Sequence, residues 1–403
     1  MVERFIKYCK VDTASDPESE TYPSSDCQIE FGKEVAKEMR ELGLKDAEID
    51  EYGYIMATIP SNVDYDVPTI GFIAHMDIIS SVPTENITPK IVKNYDGTDL
   101  VLNEDGFTIS VEEYPVLKNY IGQDIITTDG RTLLGADDKA GMVEILALAE
   151  YLLANPEIKH GEIKIGFTPD EEIGQGTKYF DVKKFGADFA YTVDGGQVGS
   201  LNYETFNAAT AKIKINGTNI HPGSAKGKMV SAILLSMELN SLLPEEQKPA
   251  YTEEYEGFFH LNWVKGNVDK AEMNYIIRDH DRDKFNDKKE LMKNAVEFMN
   301  KKYNDRIELD LTDSYKNMSE KIEPVMHIIN TAKKAMENLG IEPLINPVRG
   351  GTDGARLSYK GLPCPNIFTG GHNAHGKSEF VPVQSMEKAV QVMLEIVRLY
   401  TEK

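Results

Sequence analysis

The sequence predicts an α/β protein with a smaller domain inserted into it, and three observations carry that prediction. Residues 1 to about 206 alternate strand-like and helix-like segments, the pattern of a mixed, largely parallel sheet covered by helices. From about 207 to 317 the order becomes strand, helix, two strands, helix and strand, a βαββαβ arrangement of the ferredoxin-like type. Beyond that point the style of the first part resumes, so the expected divisions are 1–206, 207–317 and 318–403. A chain of 403 residues is long enough for two or three domains at about 150 residues each.

Each element follows from its own pattern. PTIGFIAHMD is a mostly apolar run that leads to His75. GEIKIGFTPDEE alternates Ile163, Ile165 and Phe167 and then ends in acids, and DFAYTVDGG alternates Phe189, Tyr191 and Val193 before Asp194. After Asp138, the residues Met142, Ile145, Leu146, Ala149, Leu152 and Leu153 recur at helical spacing, predicting one apolar face of an amphipathic helix closed by Asn155-Pro156. Residues 81–125 are rich in acids, Thr and Pro and read as an excursion off the sheet. In the insert, AATAKIKIN, GFFHLNWVKG, AEMNYIIRDHD and RIELDLTDSY read as strands, and MVSAILLSMELNSLL and KKELMKNAVEFMNKKY as helices. A helical segment near 323–339, the strand-like PNIFTGG and a final helix near 384–400 complete the first domain.

Composition narrows the function. Lys plus Arg total 44 against 66 Asp plus Glu, a net charge of -22, which argues against nucleic acid or an anionic membrane as partner. Three widely spaced cysteines without a C-x-x-C pair point to a reducing compartment and to no cysteine metal site. Glu3, Arg4 and Lys7 interrupt the apolar N-terminal residues, and no run approaches the roughly 18 apolar residues of a membrane span, so a cytoplasmic protein is expected.

Ligands of open α/β sheets lie beyond the carboxyl ends of the strands. Collecting the residues there gives His75 and Asp77, Asp137 and Asp138, Asp170, Glu171 and Glu172, Asp194, and His372 and His375. Taken singly, each segment has an ordinary structural reading: a hydrogen-bonded histidine, a helix cap at Asp138, a solvated acidic turn, a glycine turn after Asp194. Together, so many carboxylates repel one another unless something positive compensates. Imidazole with carboxylate suits zinc, with manganese or cobalt as substitutes, and one carboxylate can bridge a metal pair.

The segments HMD, LLGADDKAG, TPDEEIG, VDGG and GGHNAHG, in this order and spacing, resemble the co-catalytic dizinc peptidase family that includes dipeptidase V and acetylornithine deacetylase. The resemblance spans nearly the whole chain, and the insert matches that family's lid. TTDGRTLLGADDKAG, NIHPGSAKGKMV and RGGTDGARLS place it nearest the family's tripeptide aminopeptidases. The resemblance implies a zinc-peptidase catalytic domain in which His75 and Asp194 hold one zinc, Glu172 and His375 the other, and Asp137 bridges the two. It implies Glu171 as the general base, Asp77 behind His75 as the acceptor that fixes its tautomer, and a cis peptide bond between Asp137 and Asp138. His221 of the insert would close over the substrate and stabilise the oxyanion. Arg278 and Arg349 are candidates for the peptide's terminal carboxylate, because a guanidinium fork matches that geometry. RGGTDGARLS lacks the G-K-[ST] of a phosphate loop and reads as a turn whose backbone approaches substrate.

The expected activity is release of the N-terminal residue from short peptides, chiefly tripeptides, by a monomer or homodimer. Two alternatives stand beside it: an amidohydrolase acting on dipeptides or N-acyl amino acids, and a non-catalytic peptide- or metal-binding scaffold.

Overall fold

Burial explains why Ile70–His75 forms the strand at the heart of the sheet: all six of its residues are buried, as a strand covered on both faces requires. The structure is a computed structural model that describes residues 1–402. It forms two units, one made of Met1–Tyr203, Glu320–Ile345 and the chain from Thr352 onward, the other of Glu204–Ser319 and Asn346–Gly351.

In the first unit a seven-stranded sheet runs in the order Glu48–Ile49, Ile55–Ile59, Ile163–Thr168, Ile70–His75, Phe189–Gly195, Asn366–Phe368 and Leu201–Asn202. The four inner strands, 163–168, 70–75, 189–195 and 366–368, are parallel to one another. Both margins are antiparallel, so the sheet is mixed, with its parallel pairing at the centre.

The helix after Asp137 spans Ala136–Ala154, and it differs from its amphipathic reading. It is buried nearly all round, Lys139 and Glu144 included, because the sheet packs on it together with the helices Val2–Cys9 and Val383–Thr401. Leu153, read as part of the apolar face, is instead exposed, since its side chain falls on the solvent side of the last turn. The excursion at 81–125 builds a small sheet of Lys90–Val92, Ile125–Thr127 and Val381–Pro382 beside the hairpin 100–109. Tyr95, Leu100, Ile109, Leu117, Tyr120 and Phe380 give it a core of its own.

The second unit has the sheet order Phe258–Gly266, Lys270–Asp279, Asn207–Asn216, Ile307–Tyr315, all antiparallel. With helices Ala232–Ser241 and Arg282–Tyr303 this is the ferredoxin-like order. Ile213 and Ile215 meet Leu235, Leu239, Phe285, Met292 and Met299 in one core. The second helix starts before its apolar residues do, because Asp281 accepts from the N–H of Lys284 at 2.9 Å and caps a polar first turn. Asn346–Gly351 rejoins this unit through the N–H of Val348, which donates to the Glu204 carbonyl at 2.9 Å.

Candidate metal centre

The acidic strand ends converge in the first unit. His75 is the last residue of its strand, Asp194 the penultimate residue of the strand beside it, and Glu171 and Glu172 follow the strand 163–168 on the other side. Asp137 enters from the start of helix 136–154, where its φ of -84° and ψ of 102° depart from the helix. The bond from Asp137 to Asp138 is cis. That helix start presses on the strand of Asp194 at Gly141, where a β-carbon would collide with the Val193 carbonyl.

Two ligand groups result. His75, Asp137 and Asp194 bring one donor atom each within 4.8 Å of one another, and so do Asp137, Glu172 and His375. Asp137 belongs to both: its Oδ1 lies 2.9 Å from His75 Nε2, and its Oδ2 lies 3.2 Å from His375 Nε2. Glu172 Oε2 approaches His375 Nε2 at 2.9 Å, and Asp194 Oδ1 lies 3.7 Å from His75 Nε2. A cavity of about 100 Å³ opens beside them, lined by Asp137, Asp194, Gly195, Gly196, Thr369 and His372 among others.

The electrostatics call for positive charge. Burial pushes the carboxyls of Glu171 and Asp194 above their ordinary values, and lifts Glu172 to about 7. Burial acts on Asp137 in the same sense, but hydrogen bonds from His375 and His75 outweigh it and hold its carboxyl low. The hydrogen bonds to Asp137 and Glu172 raise His375 to about 11. His75 is raised too, since its acidic partners overcome the burial that works against its charge. Protons on the imidazoles thus stand where the acids need cations. A divalent pair fits these residues: the donors are imidazole and carboxylate, and Glu172 Oε1 is buried with no hydrogen-bond partner.

Metal ligation needs neutral imidazole, so binding must expel these protons, and affinity should fall as pH falls. Calorimetry of zinc binding near pH 7, in buffers of different ionisation enthalpy, is expected to report release of about one proton or more per chain.

Main-chain anchors set the ligands in place. His75 Nδ1 meets the Asp77 main-chain carbonyl at 3.0 Å, closer than the Asp77 carboxylate at 3.5 Å. That carboxylate accepts instead from the N–H groups of Glu171 at 2.9 Å and Glu172 at 3.1 Å, so Asp77 ties the glutamate pair to the histidine. Asp138 takes the N–H groups of His75 and Gly141, the second as a helix cap. Asp170, adjacent to the pair, turns away with φ 56° to Ser24 and Gln28.

Glu379 has no counterpart in the sequence reading. Its buried carboxylate accepts from the N–H groups of Leu134, Gly135 and Asp137 at 3.0, 2.7 and 3.0 Å, and burial lifts it to about 7. Glu379→Gln turns one acceptor oxygen into a donor facing those N–H groups. The expected result, read from bound metal and a chelator titration, is metal affinity about 10–100-fold lower.

The other candidates separate by environment. His372 faces away from both ligand groups: its Nε2 lies 2.6 Å from the Tyr120 hydroxyl, its ring stacks on Phe380, and burial lowers it to about 4. In the second unit, His221 is exposed and its Nδ1 accepts from the N–H of Gly223 at 3.2 Å. Arg278 donates from Nη1 to the Arg349 carbonyl at 3.0 Å, while its Nε is buried without a partner. Arg349, the other guanidinium candidate, is more fully engaged. Its fork is held within the unit by the carbonyls of Thr252, Glu254 and Glu256 and the Thr252 hydroxyl, and it packs over Phe206.

The chain matches known proteins over its length. The family model described as Peptidase family M20/M25/M40 matches residues 128–399. A protein named Peptidase T from Caldanaerobacter subterraneus subsp. tengcongensis is 58% identical over 405 residues, covering 100% of this chain and 99% of the relative. The crystal structure of aminopeptidase PepT from Bacillus cereus has a TM-score of 0.77 at 24% identity, covering 100% of this chain and 98% of that one. A Bacillus subtilis protein described as a dinuclear metal binding peptidase from the M20 family has a TM-score of 0.65 at 15% identity, covering 99% and 96%. The two structural likenesses are of fold.

Proposed function

This chain belongs to peptidase family M20/M25/M40 and is a metallopeptidase, and on that premise we propose that it is a two-metal aminopeptidase releasing the N-terminal residue of tripeptides. The observation that carries the proposal is the division of Asp137 between the two ligand groups. His75 and Asp194 would hold one ion, Glu172 and His375 the other, with Asp137 shared and zinc the best match to these donors. When bound, such a pair makes water more acidic and polarises a scissile carbonyl.

The chain's own groups do the rest. Asp77 fixes the backbone of Glu171, and no hydrogen bond from the described residues ties down the Glu171 carboxylate. That leaves it able to take a proton from the attacking water and hand it to the departing amine. On His221 the proton sits on Nε2, because Nδ1 accepts from Gly223, so the exposed edge of the ring is a donor. It suits the developing oxyanion if the second unit closes as a lid. Arg278 and Arg349 are the candidate guanidinium groups for the peptide's terminal carboxylate.

A comparison of a free tripeptide with its N-acetylated form tests the reading. Blocking the amine removes a charged hydrogen bond worth about 1.5–3 kcal/mol, so kcat/KM should fall roughly 10–150-fold. Equal turnover of the two, or preference for N-acyl amino acids, would favour the amidohydrolase instead. No helix among the described residues is long and apolar enough to cross a membrane.

A further inference from the structure

The segment RGGTDGARLS opens the helix Asp353–Tyr359, and nothing in the metal centre accounts for it. Thr352 starts that helix, its hydroxyl accepting from the N–H of Ala355 at 3.1 Å. Asp353, Arg356 and Lys360 then stand at spacings of three and four residues, which places them on one side.

All three meet a single loop. Arg356 Nη1 donates to the Gly174 carbonyl. Lys360 Nζ donates to the carbonyl of Thr177, and to that of Lys178 at 3.1 Å. The Asp353 carboxylate fills the space beside Gly176, where a β-carbon would collide with it, and its Oδ2 accepts from Thr168 at 2.7 Å. Thr168 ends the strand from which the loop departs. The loop itself has turns but no helix or strand as far as Phe180, and its own N–H groups reach the carbonyls of Asp170, Glu171, Gln175 and Thr177, whereas the Gly174 and Lys178 carbonyls take their donors from the helix side. It begins with Glu171 and Glu172, which Asp77 holds by their N–H groups.

We propose that the helix Asp353–Tyr359 with Lys360 is a clamp that fixes the glutamate loop, and that Arg356 and Asp353 are positioning residues for Glu171 and Glu172. The catalytic part of this inference rests on the aminopeptidase reading. Asp77 grips the loop where it leaves the strand, and the clamp grips its later half, so the two glutamates cannot drift by rotation of the turns between them. A misplacement of about 1 Å at a reacting group can cost roughly 100-fold in rate.

The test combines kinetics with amide hydrogen exchange on Arg356→Ala and Arg356→Lys. Arg356→Ala should lower kcat on a free tripeptide about 10–100-fold with KM changed less than about threefold. Arg356→Lys, which keeps a cationic donor, should recover most of that loss. In metal-free protein, exchange over residues 170–178 should accelerate about tenfold or more in Arg356→Ala and stay unchanged over 189–195. Unchanged exchange at 170–178, an equal rise at both segments, or kcat within about twofold of the parent would overturn the clamp. If Arg356→Ala fails to fold, Lys360→Met and Gly176→Ala give the same readouts, the second by forcing a methyl against Asp353. Because exchange needs no substrate, faster local exchange in a chain that cleaves no tripeptide would keep the clamp and overturn the aminopeptidase reading.

Discussion

Glu171→Gln is expected to lower kcat by about 10²–10⁴-fold while bound metal stays unchanged. The glutamine keeps the size of the side chain and leaves the N–H bond to Asp77 intact, so what is lost is the ability to carry a proton. Glu171 is not in either ligand group, whereas Glu172 beside it is. The corresponding Glu172→Gln variant should therefore lose metal as well as rate. Parallel assays of kcat and of metal per chain separate the two roles. A Glu171→Gln enzyme with most of its activity would remove the general base from the proposal.

Asp137→Ala should have the second large effect, and for a different reason. Its carboxylate is the only member common to both groups, with one oxygen toward His75 and the other toward His375. Removing it leaves each group with one histidine and one acid. Metal pairs contribute several kcal/mol to such reactions, and about 4 kcal/mol corresponds to a thousandfold, so activity should fall by roughly 10³ or more. Elemental analysis after dialysis should find less metal than in the parent. If two ions per chain survive, Asp137 is not the bridge. Circular dichroism guards against misfolding, since Asp137 also takes part in the loop that Glu379 anchors.

Much of the site was legible because strand ends are legible. A continuous apolar run ending at His75 and an alternating run ending at Asp194 each announce where a strand stops, and a parallel sheet gathers those ends along one edge. The βαββαβ insert was equally plain, since its strand Asn207–Asn216 alternates inward and outward over its second half as its sequence does. The helix 136–154 departs from its amphipathic pattern by being buried nearly all round. Periodicity reports which residues are apolar, but not that helices from both ends of the chain will cover its other sides.

What stayed hidden depends on pairs of residues far apart in the chain. Glu379 lies 242 residues from Asp137, and a lone glutamate before a phenylalanine carries no local sign that three N–H groups await it. His372 and His375 share one glycine-rich segment, yet Tyr120 takes the first and the acids Asp137 and Glu172 take the second. Arg349 offered the same guanidinium as Arg278, and only the packing of 252–256 around it distinguishes them. The sequence by itself determined the kinds of donor and the strand ends that carry them, because local period and residue chemistry are properties of short segments. The tertiary structure alone decided which donor faces which, since buried hydrogen-bonding groups must find partners wherever the folded chain brings them.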